Sequence, residues 1–178
     1  VAILVRAQYQ TREFEDRFIQ IGLPYKIVGG FRFYERAEIR DALAYLRVIA
    51  QPQDDLALER IYNQPKRGLG AKALEAMHLK ARELDQPLFV GMSALAEGPE
   101  LPARARNALA ALVGDFARWR DQAETFSPSE LLRIVLEESG YNAMLQAERS
   151  PESAGRLENL SELLRAMEDY PSLGDFLE

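Results

Sequence analysis

The chain has 178 residues, 47% hydrophobic and 28% charged with a net charge of −6, an ordinary globular composition that is long enough to bury a core and speaks against disorder. It has no cysteine, which excludes a disulfide framework, a thiolate metal site and a cysteine nucleophile, and fits a reducing, cytoplasmic location. No apolar run approaches the roughly 18 to 20 residues that a bilayer span needs, so no membrane segment is expected.

In chain order, "VAILV" (1–5) is a short continuous apolar run with β-branched residues and predicts a buried strand. Residues 11–21 place Phe14, Phe18 and Ile21 on one helical face, with Gly22 as the cap that ends the helix. "PYKIV" (24–28) reads as a second strand, ending at Gly29 and Gly30, which serve the turn into the next element. Residues 35–50 carry Ile39, Leu43, Leu46 and Ala50 at helical spacing, with Arg36, Arg40 and Arg47 outside that stripe.

Beyond Pro52 the patterns are helical throughout. Asp54 and Asp55 suit a helix N-terminus ahead of Leu56, Leu58 and Ile61. Leu74, Met77 and Ala81 share a face, as do Leu109, Leu112, Val113, Phe116 and Trp119. Ser127, Pro128, Glu130 and Gly140 give a helix its cap, first turn, capping-box partner and stop, and Leu157, Leu160, Leu164 and Met167 mark one more helix. The expected fold class is therefore mainly α: an all-helical domain over residues 51–178, preceded by a short α/β segment over residues 1–50. One strand pair makes no independent sheet, so the first fifty residues are expected to belong to a domain lying mostly outside this chain.

Charge is unevenly spread. Residues 60–82 hold six Lys or Arg against one acid, whereas residues 121–178 hold four against thirteen. Inside the basic block lies "NQPKRGLGAK" (63–72). Gly68 and Gly70 allow a tight turn with exposed N–H groups, a helix starts at Ala71 with its positive end facing the same way, and Lys66, Arg67 and Lys72 surround it. Such a helix-hairpin-helix-like glycine turn suits a backbone phosphate, read by charge and shape rather than by sequence. The alternative is a helix connector with incidental cations. The acidic last third reads either as a solvated face or as a surface that moves against a partner while like charge keeps it off nucleic acid.

Other polar residues carry less. Asp54–Asp55 and Glu137–Glu138 are neighbours on helices, pointing about 100° apart, which does not suit a metal or an acid–base pair. His78, the only histidine, flanks an apolar face, and Phe116 and Trp119 sit at core spacing. No G-x-x-x-x-G-K-[ST] phosphate cradle occurs, so no cofactor and no catalytic residue are expected in this chain.

The segments "AILVRAQYQTREFE" and "LPYKIVGGFRFYERAEIRDALAYLRVIAQPQDDLALERIYNQPKRGLG" resemble the UvrD/PcrA/Rep family of superfamily-1 DNA helicases, from residue 2 to about residue 90. They include an arginine-containing motif (Arg6, Gln10, Arg12, Glu15), "GGFRFYERAEIRD", and "RGLG" in the place of the family's glycine hairpin. The resemblance implies a parent protein that is an ATP-driven 3′-to-5′ translocase requiring ATP and Mg. Residues 1–50 would then be part of the RecA-like motor subdomain 2A and the remainder the helical insertion 2B, hinged near residues 51–53. It implies duplex DNA at a single-strand/double-strand junction and the remaining helicase subdomains as partners. Lys66, Arg67, Gly68, Gly70 and Lys72 become duplex-contact candidates, with Leu69 as a core anchor. Arg12, Arg32 and Arg36 become motor-side candidates, although Arg36 could instead pair with Glu38 or Asp41. A competing reading is a regulatory module whose basic hairpin docks on an acidic protein surface.

Overall fold

The computed structural model describes residues 3, 5, 10–25 and 33–178, and among these every regular element is helical. The order is α1 (Thr11–Gln20), a 3₁₀ turn (Phe33–Glu35), α2 (Ala37–Ala50), α3 (Asp55–Ile61), α4 (Ala71–Leu84), α5 (Leu88–Glu97), α6 (Ala103–Ala123), α7 (Pro128–Glu138), α8 (Tyr141–Glu148), α9 (Pro151–Met167) and α10 (Leu173–Leu177). The mainly helical class is as expected. Most of the two expected strands, and Arg6, Gly29, Gly30 and Arg32 with them, lies outside the described residues.

α2 is the hub of the fold. Ile39, Tyr45, Leu46 and Val48 are fully buried, and the helix packs on α3, α6, α7, α9 and α10. A helix covered on several sides needs apolar residues around most of its circumference, which "ALAYLRVIA" supplies. α4 and α5 form the closest antiparallel pair, and Gly91 allows it: a Cβ there would lie 2.7 Å from the Met77 carbonyl oxygen and 2.8 Å from the Ala81 amide nitrogen. α6 lays Leu109, Leu112, Phe116 and Trp119 into the centre, as its spacing predicts.

The termination signals act as read. Gly22 adopts φ +64°, and the Leu23 amide reaches back to the Phe18 carbonyl at 2.8 Å, closing α1. Ser127 and Glu130 cap each other around Pro128 at the start of α7, and Ser150 and Ser153, which the sequence reading did not single out, do the same for α9. Asp54 caps α3 by accepting from the Ala57 amide, while Asp55, the first residue of α3, accepts from the Leu88 amide at 2.8 Å and so caps α5 from a neighbouring helix.

The buried face of α1 corrects the periodicity argument. Phe14 and Ile21 are exposed, and the buried residues are Arg12 and Glu15. Periodicity identifies an apolar stripe but not what covers it. Here the Arg12 and Arg36 guanidinium groups lie 4.4 and 5.3 Å from the ring centre of buried Phe33, so cation–π contacts draw the charged face inward. α5, α8 and α10 have no counterpart in the sequence reading. α5 is apolar almost all round and so lacks a polar stripe, and the other two have only 8 and 5 residues.

Candidate nucleic-acid interface

Residues 62–70 connect α3 to α4 and turn back through Gly68, whose φ of +75° favours glycine. Gly70 differs: φ −82°, ψ −174° is extended backbone that any residue adopts, and a Cβ there would meet nothing within 4 Å. Neither a positive φ nor a close contact requires the second glycine, and its place at the helix start is one that serine or asparagine would fill as well. It is the N-cap residue of α4 and supplies no side-chain cap, so the first amides of a 14-residue helix face outward with the positive end of its dipole. Leu69, between the glycines, is fully buried and anchors the turn as expected.

The cations around the turn separate into two kinds. Arg67 is only half-exposed and points inward. Its Nη1 donates to the carbonyls of Ile61, Tyr62 and Pro65 at 3.0, 3.3 and 3.1 Å, and its Nη2 donates to Tyr45 Oη at 2.6 Å. This corrects its expected role as a phosphate ligand, because a guanidinium already forked onto backbone carbonyls has few donors left to offer. Lys66 and Lys72 are exposed and, among the described residues, bind no acid. Of the other cations in the basic block, Arg60 pairs with Asp41 at 2.7 Å and Lys80 with Glu83 and Glu100 at 2.9 and 3.0 Å.

Sequence reasoning missed one residue here. Arg104, in the first turn of α6, lays its guanidinium against Gly68; a Cβ on that glycine would lie 3.6 Å from Arg104 Nε and Nη2. It is exposed and binds no acid among the described residues. Arg104 lies 36 positions after Gly68, and only the packing of α6 against α5, and of α5 against α4, brings it to the turn. The hairpin thus presents Lys66, Lys72 and Arg104 around two glycines and a helix N-terminus.

The motor-side candidates lie elsewhere and are not free. Arg36, buried, donates through Nη1 to Asn159 Oδ1 at 2.8 Å, and Asn159 Nδ2 donates to Glu38 Oε1 at 2.6 Å. Arg12 donates to Asp16 at 3.2 Å and to the Glu162 carbonyl at 3.1 Å. Both tie α9 to α1 and α2, and Arg36, linked to Glu38 through Asn159, follows the alternative of pairing within the fold rather than reaching a phosphate. Asp41, expected beside Arg36, instead holds Arg60 and Tyr141. A groove of about 710 Å³ between the starts of α2 and α9 carries Arg40, Arg60 and Arg156 against Glu35, Glu152 and Glu158, and the mixed signs give it no net field for a phosphate.

The remaining polar residues are structural. Glu138 accepts from Trp119 Nε1 and from Arg118, both at 2.7 Å, and the Arg118 bond holds its carboxyl below the usual carboxylate range. His78 Nε2 lies 3.0 Å from Glu59 Oε1. Among the described residues no three His, Asp or Glu side chains converge as metal ligands, and no helix is long and apolar enough to cross a membrane.

Residues 1–88 match the UvrD-like helicase C-terminal domain family. DNA helicase II of Rickettsia typhi is 43% identical over 178 residues, all of this chain and 27% of that protein. The chain belongs to the UvrD-like helicase family. ATP-dependent DNA helicase UvrD1 of Mycobacterium tuberculosis is 39% identical over 172 residues, 96% of this chain and 22% of the relative. ATP-dependent DNA helicase PcrA of Leuconostoc citreum is 35% identical over 169 residues, 95% of this chain and 23% of the relative. This UvrD-like chain therefore spans about a quarter of the length of these relatives. The similarity extends well past residue 90, where the motif resemblance ends, and takes in α6 to α9.

Proposed function

We propose that this chain is the duplex-engaging accessory region of an ATP-dependent 3′-to-5′ DNA helicase, and that its glycine hairpin holds a backbone phosphate of the duplex at the single-strand/double-strand junction. The observation that carries the reading is Gly70. It is a glycine in ordinary extended backbone with open space where a side chain would stand, at a helix N-terminus in a turn that also carries exposed Lys66 and Lys72 and has Arg104 laid against Gly68. A missing side chain that the fold does not need suits close approach by an external group, and the charges make that group an anion.

The chemistry of ATP and Mg belongs in this reading to other parts of the parent helicase. The expected division puts residues 1–50 in motor subdomain 2A and residues 51–178 in the helical insertion 2B; the core that α2 shares with α3, α6, α7 and α9 supports grouping α2 with the insertion. Residues ahead of it, α1 among them, belong to motor subdomain 2A, and Arg12 joins the two through the Glu162 carbonyl.

The test is fluorescence anisotropy of the chain with a duplex bearing a 3′ tail, over a salt series. Lys66→Glu/Lys72→Glu/Arg104→Glu is expected to abolish binding, and each single alanine variant to lower the log–log salt slope by about 0.9. Gly70→Ala is expected to cost no more than about 1 kcal/mol, because alanine is a poorer N-cap residue than glycine, while weakening the duplex about tenfold. Full affinity in the triple variant would exclude the hairpin as the DNA contact, and salt-sensitive capture of an acidic protein with no duplex binding would favour the regulatory reading.

A further inference from the structure

Arg67 is the most enclosed cation of the hairpin, and its surroundings form a closed polar unit. Tyr45, on the hub helix α2, is fully buried, and its ring lies 6.1 Å from that of Phe116 and 5.9 Å from that of Trp119. Its hydroxyl donates to the Gln64 carbonyl at 2.7 Å and accepts from Arg67 Nη2. Arg67 Nη1 gathers two further carbonyls of the same loop, Tyr62 and Pro65, and that of Ile61 at the end of α3. From the outer side, Asn63 Oδ1 accepts from the amides of Arg67 and Leu69, at 2.8 and 3.2 Å.

The loop backbone between α3 and the glycines is thus bonded to side chains at Gln64, Pro65, Arg67 and Leu69, and one of those side chains is rooted in the aromatic core. Resting on the phosphate-binding reading above, we infer that Tyr45, Asn63 and Arg67 are positioning residues: they hold the hairpin in its binding shape before DNA arrives, and Arg67 contributes through its fork rather than through its charge. Fixing a loop in advance lowers the ordering cost of binding, so a brace of neutral and inward-facing groups raises duplex affinity without touching the duplex.

The fork makes the claim testable, because a lysine keeps the charge of Arg67 but not its planar set of donors. Hydrogen exchange of the free protein, followed by mass spectrometry on peptides covering residues 63–70, is measured for Arg67→Lys, Tyr45→Phe and Lys66→Ala beside duplex affinity. In Arg67→Lys and Tyr45→Phe the hairpin amides are expected to exchange about tenfold faster, with peptides of α6 and α7 unchanged and the duplex bound about tenfold more weakly. In Lys66→Ala the exchange stays as in the parent and only the affinity and its salt slope fall.

Unchanged hairpin exchange in Arg67→Lys and Tyr45→Phe would overturn the brace, as would faster exchange with undiminished duplex affinity. Asn63→Asp, which keeps an acceptor at Oδ1, is expected to preserve exchange protection and serves as a check should Tyr45→Phe loosen α6 as well. A parent protein that binds no duplex at all sinks the phosphate-binding reading and, with it, the functional half of this inference, while the exchange rates still decide whether the brace exists.

Discussion

Trp119→Ala is expected to destabilise the chain by about 3 to 5 kcal/mol, a large fraction of the roughly 5 to 15 kcal/mol that holds a domain together. The indole is fully buried between Tyr45 and Phe116, with ring centres 5.9 and 5.2 Å away in edge-on geometry, and its Nε1 donates to Glu138. Truncation removes the apolar transfer term, opens a cavity that rigid helix packing closes only in part, and cuts one bond to a carboxylate that keeps Arg118 as its partner. Urea unfolding followed by far-UV circular dichroism measures the loss; fluorescence does not serve, since Trp119 is the only tryptophan. A loss under about 1 kcal/mol would mean that Trp119 is not the core anchor that its burial implies.

The same substitution reports on function, because Tyr45 stands between the core and the hairpin. Where the chain remains folded, Trp119→Ala is expected to weaken duplex binding at an unchanged net charge, as Tyr45→Phe does.

This coupling also marks the limit of what the sequence reveals. Phe116 and Trp119 are legible as core from a three-residue interval on one helical pattern, as Leu69 is from its place between two glycines. Arg67 is not legible. Its neighbours in sequence are a lysine and a glycine, which suggest an exposed phosphate ligand, whereas its fate is set by the Tyr45 hydroxyl on a helix 22 positions earlier. Arg104 fails in the opposite direction: nothing in "ARAR" distinguishes it until two intervening helices fold it onto Gly68. Local rules read periodicity, caps and turns: the periodicity held for α6 and the cap signals for α7, whereas in α2 Ala50 of the expected stripe is exposed and Arg36 outside it is buried. The sign and direction of a charged side chain depend on which backbone carbonyls or acids lie across the fold, and sequence spacing carries no record of that.

Asp41→Ala is the second substitution expected to have a large effect, at about 2 to 4 kcal/mol. The carboxylate is buried on α2, pairs with Arg60 of α3 at 2.7 Å and accepts from the Tyr141 hydroxyl of α8 at 2.6 Å, so a single residue joins three helices. Removing it leaves a tyrosine hydroxyl unsatisfied and a guanidinium without its acid. The figure lies below that of a fully buried pair because the Arg60 side chain is 30% exposed and water compensates part of the loss. Tyr141→Phe removes only the hydroxyl and is expected to cost about 1 kcal/mol at neutral pH. Its alkaline behaviour separates the two contributions. Burial, reinforced by the bond to Asp41, raises the Tyr141 phenol well above its ordinary value of 10.0, and burial raises that of Tyr45 as well. A folded-state value above the unfolded one means that the stabilisation is complete below about pH 10 and is lost as pH rises further, where the unfolded chain releases its proton first. The parent chain is therefore expected to lose stability steeply above pH 10, and Tyr141→Phe to lose it less steeply, with Tyr45, Tyr34 and Lys80, whose values are also raised, contributing to the slope that remains. Equal slopes in urea midpoints between pH 9 and 11 would show that the Tyr141 hydroxyl is solvated, and that Asp41 holds α2 to α3 through Arg60 alone.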